Sequence, residues 1–492
     1  MSALHTWPGL ALSRPHYVDG RFAASDGPEI AVVNPANEQT LALIRSVSAE
    51  DLDQAVRAAR SAFAGPWSST TADRRADLLH DLCDRLTAME SELVDDVIAE
   101  TGSTVGLAQG LQVRGAIDTL RWFADAARRG PVGGYEYELP PAGDPARRST
   151  SRILQVPAGV VAAITAYNYP LLLLARKLGA ILASGCTCVV LPSPRAPLST
   201  WRLFGALHEV GLADGVANLV IGDGEIGRRL SSHPGIDVVS FTGSVAVGRR
   251  VMKQAADTTK KVLLELGGKS PSIILPDADL PAAVAGTIAR FTTAAGQGCG
   301  CTTRVFVPER DFASFTDLAR ETIGRMRVGD PTDPEVDMGP LITAEHRHSV
   351  ESYVWRALAD GGRLLAGGGR PDHERGFFLN PAVVDQVTND SEIATHELFG
   401  PVAVAIPYRD TATAITLANS SAFGLNAAIW GPLDDCLDLA PRLRSGTVVV
   451  NGGAGTRADA PWGGFGDSGL GREGGEAGLA EFFEPKHVQW AL

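Results

Sequence analysis

The sequence predicts an α/β protein built on parallel sheets. Three observations carry this. Short β-rich runs recur along the chain, each is followed by a helical pattern, and the runs are nearly continuous in Val, Ile and Leu. Such runs suit strands buried on both faces. At 492 residues the chain exceeds what one hydrophobic core serves, so two or three domains are expected.

Taken in order, "SAEDLDQAVRAARSAFAG" reads as a helix, with Ser48 as N-cap and Asp51 three residues on. "SELVDDVIAETG" reads as a second helix that stops at Gly102. Residues 133 to 153, "GGYEYELPPAGDPARRSTSRI", alternate Tyr, Glu and Arg around a Pro-Pro-Ala-Gly turn and read as a protruding hairpin. A lone hairpin cannot bury two faces, so it either pairs with another subunit or is a solvated loop. "RILQVPAGVVAAI", "TCVVLP", "NLVIG", "DVVSFTG" and "SPSIILP" then read as strands of repeated βα winding. The stretch from Ile153 to Ala175 is uncharged and long enough to span a membrane, but Pro157, Gly159, Asn168 and Pro170 interrupt it. Strand, turn and helix fit it better. No internal repeat or low-complexity tract is evident.

With 45% hydrophobic and 21% charged residues, the composition is that of an ordinary folded chain. A net charge of −13 argues against nucleic-acid or anionic-membrane partners, which reward clustered Lys and Arg. The N-terminal "MSALHTWPGLALSRPHYVDG" lacks a basic region followed by an apolar run, so no secretory signal and a cytoplasmic, reducing setting are expected. Six cysteines are too sparse for a disulfide scaffold. Small-molecule chemistry is the favoured class.

Two cysteine pairs share one spacing: Cys186 with Cys188, and Cys299 with Cys301. Four thiolates can hold zinc, whereas a single thiolate beside a base is a nucleophile. Glu265, in "LLELGGKSP", can be that base from a strand end. Asn168 lies at a strand-to-helix turn before an apolar helix, where its amide can donate to an oxyanion or simply hold the turn. One preorganised oxyanion donor is worth roughly 3 kcal/mol in a transition state. "IGDGEIG" and "FTGSVAVG" are Gly-rich turns opening helices after strands, as phosphate binding requires, although most glycine turns are only turns.

From "YVDGRF" to its C-terminus the chain resembles the aldehyde dehydrogenase superfamily. The resemblance rests on "YNYPLLLLARKLGAILASG", "SFTGSVAVG", "LLELGGKSP", "GQGC" followed by Arg304, "ELFGPV" and "PWGGFGDSGLGREGG". It implies a Rossmann-type NAD(P) domain over 1–131 and 153–264, an α/β catalytic domain over 265–465, and a small β oligomerisation arm with the C-terminal tail over 132–152 and 466–492. By the same resemblance Cys299 is the nucleophile, Asn168 and the Cys299 N–H form the oxyanion hole, and Glu265 activates water to hydrolyse the thioester. Lys177 and Glu473 match positions that assist proton movement around Glu265. Gly243 and Ser244 match the pyrophosphate site, and Glu397 and Phe399 match the nicotinamide side. Cofactor contact is implied also for Ile164, Thr165, Leu191, Ser193, Arg195, Gly222, Gly224, Phe241, Thr242, Leu266 and Gly267. A base at Glu265 favours release of a free carboxylic acid over transfer to coenzyme A. A homodimer or homotetramer is implied. Zinc recedes, because Cys186 and Cys188 belong to a buried strand and Cys299 to a catalytic turn; Cys301 remains a bystander able to capture an oxidised Cys299.

The chain departs from the family at the adenosine ribose, where a lysine and a glutamate are usual and Leu191 and Pro194 stand. "VVLPSPRAP" contains neither residue type. Weaker cofactor binding follows as an expectation, and with Arg195 nearby NADP is admitted beside NAD. For the substrate, Arg176 can hold a carboxylate or hydroxyl, or make a structural ion pair. Thr293 stands where a second anion-binding arginine would be. Thr456, with Ala454 and Gly455, reduces bulk at the tunnel mouth, and Tyr169 and Trp462 are expected as apolar walls, so an aromatic or terpenoid aldehyde fits equally. Two rivals remain: a Cys-dependent esterase or acyl hydrolase with weak cofactor binding, and a non-catalytic binding protein on the same fold.

Overall fold

A computed structural model describes residues 15–131, 133–144, 147–453 and 456–492. The reading of the first fourteen positions, and the bulk reading of Ala454 and Gly455, lie outside the described residues.

Among the described residues, eight strands form one sheet in the order Gly469–Leu470, Lys261–Glu265, Val238–Thr242, Val160–Ile164, Thr187–Leu191, Ala217–Leu219, His16–Val18 and Arg21–Ala23. Its five central strands run parallel. Val161 and Ala163 pack into a cluster with helix Pro170–Ser184, while Val160, Ala162 and Ile164 pack into another with helix Ala49–Ala64. Each strand therefore buries both faces, which is why its sequence is apolar throughout.

A second sheet orders Arg363–Gly367, Ala382–Asp385, Val402–Tyr408, Thr302–Pro308, Ser270–Ile274, Asn426–Trp430 and Thr447–Val450, all parallel except the first. The third is antiparallel, with Ser149–Pro157 between Glu136–Ala142 and Phe483–Ala491. Tyr137, Leu139, Val488 and Trp490 are exposed on it.

The caps form where the sequence places them. Ser48 accepts from Asp51 N while the Asp51 carboxylate accepts from Ser48 N, and Gly102 ends helix Glu90–Thr101 at φ 71°. Two expected boundaries fall inside paired structure. Strand Ser149–Pro157 continues past residue 152 because its ladder with the C-terminal strand runs on to Pro157 and Phe483. Gly469–Leu470, expected with the tail, instead pairs antiparallel with Leu264 and Glu265 at the edge of the first sheet. Ile153 to Ala175 folds as strand, turn and helix. No helix among the described residues is long and apolar enough to cross a membrane.

Candidate active site

The first sheet winds outward from Val160–Ile164 through Thr187–Leu191 to Ala217–Leu219, then returns to Val238–Thr242 on the other side of the starting strand. That reversal opens a crevice at the strands' carboxyl ends, where ligands bind in open α/β sheets. Ile164 and Phe241 are paired there and buried, and Thr165 N donates to Leu191 O at 3.1 Å. The hydroxyls of Thr165 and Thr242 are buried without a partner among the described residues. Gly243 N donates to Glu265 O at 3.0 Å, and Ser244 begins helix Val245–Ala256 with its side chain uncommitted to the cap. Farther out, Gly222 packs under Ile226, and Gly224 opens helix Gly224–Ser232 with nothing within 4 Å of the side chain it lacks. Leu191 is buried and Arg195 exposed. The Arg195 N–H donates to Ser193 Oγ at 3.4 Å, and its guanidinium lies over the Tyr167 ring at 5.8 Å.

The thiol comes from the second sheet's side of the crevice. Helix Leu280–Thr292 ends in a turn where Ala294, Ala295 and Gly296 all take left-handed φ, 52°, 54° and 74°. A Cβ on Gly296 would lie 2.1 Å from the Gly400 carbonyl, so glycine is required there. Asn168 Nδ2 donates to Gln297 O at 2.7 Å, and Gln297 Oε1 accepts from Tyr167 Oη at 3.2 Å and Ile342 N at 3.0 Å. This network fixes the loop that carries Cys299, which is half-buried. Burial pushes the Cys299 thiol well up, and the Glu265 and Glu397 carboxylates add to this while Arg176 opposes it. Cys301 is buried and held at about 12 by burial. Cys186 and Cys188 lie together in the apolar cluster under the first sheet.

Glu265 ends strand Lys261–Glu265 and is buried. Its Oε2 accepts from Trp462 Nε1 at 2.6 Å, and its Oε1 has no partner among the described residues. Burial, then Glu473, raises its carboxyl from 4.5 to about 8, against Arg176, the Trp462 hydrogen bond and Lys177. Lys177 Nζ donates to Ser240 Oγ at 2.8 Å and forms a buried ion pair with Glu473. Trp462 and Glu473 exchange backbone hydrogen bonds of 2.6 and 2.7 Å, which brings base and ion pair together.

Glu397 crosses to the first sheet's turn: its Oε1 accepts from Gly268 N at 2.9 Å, and a Cβ on Gly267 would meet Oε2 at 1.9 Å. Burial lifts its carboxyl to about 7. Leu266 N donates to Ser468 O at 3.0 Å, which anchors that turn. Phe399, at φ 56°, accepts from His346 Nε2 at 2.7 Å and meets Tyr167 edge-on at 6.0 Å between centroids.

Of the expected substrate residues, Arg176 is 6% exposed and makes no ion pair among the described residues. Its guanidinium lies over the Trp462 ring at 5.3 Å. Tyr169 is half-buried beside Gly298. Thr293 turns its hydroxyl back to Ala289 O at 2.7 Å, and Thr456 is half-buried. Trp462 is more than an apolar wall, since its indole N–H is spent on Glu265. Ser240, Gln297, Tyr167 and His346 are site residues that the sequence did not single out; only the position of Gln297 and Tyr167 beside Cys299 and Asn168 could have drawn attention to them.

A half-buried thiol, an amide donor and a raised carboxyl thus lie beside a strand-end crevice. The aldehyde dehydrogenase family profile matches residues 22–488. A 3-succinoylsemialdehyde-pyridine dehydrogenase from a Pseudomonas species is 39% identical, with 96% of this chain and 98% of that protein aligned. Betaine aldehyde dehydrogenase of Bacillus subtilis is 35% identical, covering 97% of each. Among solved structures, a variant of aldehyde dehydrogenase C from Pseudomonas syringae, in complex with NAD+ and octanal, aligns at TM-score 0.91 with 37% identity over 98% of this chain and 97% of that one. An NAD+ complex of aldehyde dehydrogenase from Bacillus cereus aligns at 0.93 with 33% identity over 99% of each. The chain belongs to the aldehyde dehydrogenase family, and it is an oxidoreductase acting on aldehydes.

Proposed function

We propose that this protein oxidises an aldehyde to its carboxylic acid with NAD or NADP through a thioester on Cys299. The observation that carries this is the convergence of Cys299, Asn168 and Glu265 from three separate elements onto one crevice. The residues of the crevice fit a dinucleotide. Among the described residues the buried hydroxyls of Thr165 and Thr242 have no partner, Ser244 opens a helix without a side-chain cap bond, and relatives of this chain are known as NAD+ complexes. Ile164, Phe241 and Leu191 would form its apolar floor, Gly243 and Ser244 would hold the diphosphate, and Glu397 and Phe399 would bound the nicotinamide end.

Cys299 adds to the aldehyde carbon, and its proton leaves through Glu265 and the Lys177–Glu473 pair. Asn168 spends one amide hydrogen on Gln297 O and keeps the other for the alkoxide, beside the Cys299 N–H. A nicotinamide dinucleotide held in the crevice would supply the hydride acceptor that turns the thiohemiacetal into the thioester. Glu265, through its free Oε1, takes a proton from water, which cleaves the thioester and restores the thiol.

A buried Arg176 that makes no ion pair among the described residues favours an aldehyde bearing an oxygen acceptor, such as a carboxylate or carbonyl, and disfavours a quaternary ammonium aldehyde. The first relative above is named for a semialdehyde, the second for betaine aldehyde. The experiment is a panel of anionic, carbonyl-bearing, aliphatic and quaternary ammonium aldehydes with both cofactors, read by nicotinamide absorbance in wild type and Arg176→Ala. Loss of kcat/KM confined to acceptor-bearing aldehydes supports the reading; unchanged specificity removes it. With Leu191 and Pro194 at the ribose, comparable kcat/KM for NAD and NADP is expected, and a strong NAD preference refutes that. The exposed apolar residues of the three-stranded arm support self-association into a dimer or pair of dimers, and the six free thiols suit a reducing interior.

A further inference from the structure

We propose that Trp462 is a positioning residue for Glu265: its indole N–H fixes one carboxylate oxygen and leaves the other free to take the proton of the hydrolytic water. The inference rests on the reading of Glu265 as the base of thioester hydrolysis.

The geometry is specific. Trp462 Nε1 donates to Glu265 Oε2 at 2.6 Å, while Oε1 is buried and has no partner among the described residues. The indole is held from three sides. Its backbone exchanges two hydrogen bonds with Glu473, its face carries the Arg176 guanidinium at 5.3 Å, and its far edge lies so close to Gly300 that a Cβ there would be 2.8 Å from Cη2. An indole locked in this way cannot follow a wandering carboxylate, so the carboxylate is held where the indole points. A cation over the ring draws electron density from it and makes the N–H a stronger donor.

The charged groups around Glu265 show why such a donor matters. Glu473 opposes ionisation, and burial opposes it more; Arg176 and Lys177 favour it. Cys299 faces the same carboxylate. A hydrogen bond donated to the ionised form favours that form. Trp462 therefore selects which oxygen acts and keeps the base ionisable in the neutral range. A ring that only lines a substrate tunnel does neither.

The test uses the full-length protein carrying Trp462→Phe, which keeps the ring and removes the donor. The pH dependence of the hydrolysis-limited rate is compared with wild type. Loss of one charge-assisted hydrogen bond raises the titration by about one pH unit, so the rate falls about ninefold at pH 7 and only about twofold at pH 9. An unmoved limb, or a uniform fall at every pH, overturns the proposal. Infrared titration of the Glu265 carboxyl, identified by subtraction of Glu265→Gln, reads the same displacement without turnover; an unchanged titration in Trp462→Phe also overturns it. If Glu265→Gln turns over like wild type, the reading of Glu265 itself fails. If Glu265→Gln stalls while Trp462→Phe titrates like wild type, only the role of Trp462 fails.

Discussion

Replacing Glu265 by Gln should make the folded protein more stable while stopping thioester hydrolysis, and the gain should depend on pH. The Glu265 carboxyl is buried and its titration is raised from 4.5 to about 8 by burial and by Glu473. Below pH 4.5 the group is protonated in the folded and unfolded chain alike and contributes nothing. Above that point the unfolded chain ionises while the folded protein keeps its proton, so stability falls as pH rises, by about 1.4 kcal/mol per unit, until the folded group ionises as well. The accumulated cost reaches several kcal/mol by pH 8. Gln cannot ionise, yet its carbonyl still accepts from Trp462, so the substitution removes the cost and keeps the contact. Denaturant unfolding at pH 5 and pH 8 measures it. A margin below about 1 kcal/mol at pH 5 and one of several kcal/mol for Glu265→Gln at pH 8 are expected. A variant no more stable than wild type at pH 8, or a margin equal at both pH values, would refute the reasoning.

Two further outcomes follow from the same cluster. Lys177→Met leaves the Glu473 carboxylate buried without its cation and Ser240 Oγ without its donor, which should cost about 3 kcal/mol in denaturant unfolding. It also removes a charge that favours ionised Glu265, so the activity limb should move to higher pH; a limb displaced to lower pH contradicts this. Asn168→Ala removes the oxyanion donor and should lower kcat by roughly a hundredfold to a thousandfold with cofactor affinity unchanged, as read by steady-state kinetics and cofactor titration. A loss within tenfold would give the oxyanion to the Cys299 N–H alone.

Local rules made much of the fold legible. The alternation of apolar runs with helical patterns gave the parallel winding, Ser48 with Asp51 gave a cap, Gly102 a helix end, and the Tyr/Glu/Arg alternation the arm. Each is a choice made within a few residues. Cys299, Asn168 and Glu265 were singled out through their motifs and chemistry; Asn168 reaches the loop before Cys299 through Gln297 O, and the Glu265 carboxylate adds to the upward push on the thiol. What stayed hidden depends on pairs far apart in the chain. Trp462 and Glu265 are 197 residues apart, and nothing in "PWGGFG" says that the indole N–H points at a carboxylate. Ser240 lies on a buried strand among Val and Phe, where its bond to Lys177 leaves no local mark. Gly469–Leu470 was grouped with the tail because its pairing with Leu264 and Glu265 is set by the turn at Ser468, not by its own composition.

The most direct measurement is intact-protein and peptide mass spectrometry of Glu265→Gln after incubation with an aldehyde that wild type oxidises and with cofactor. One acyl group per chain, located on Cys299 and accompanied by one equivalent of reduced nicotinamide, is expected. Continued turnover without an adduct, or an acyl group on Cys301 or any other residue, would contradict the assignment of Cys299 as nucleophile and Glu265 as the base that releases the acid.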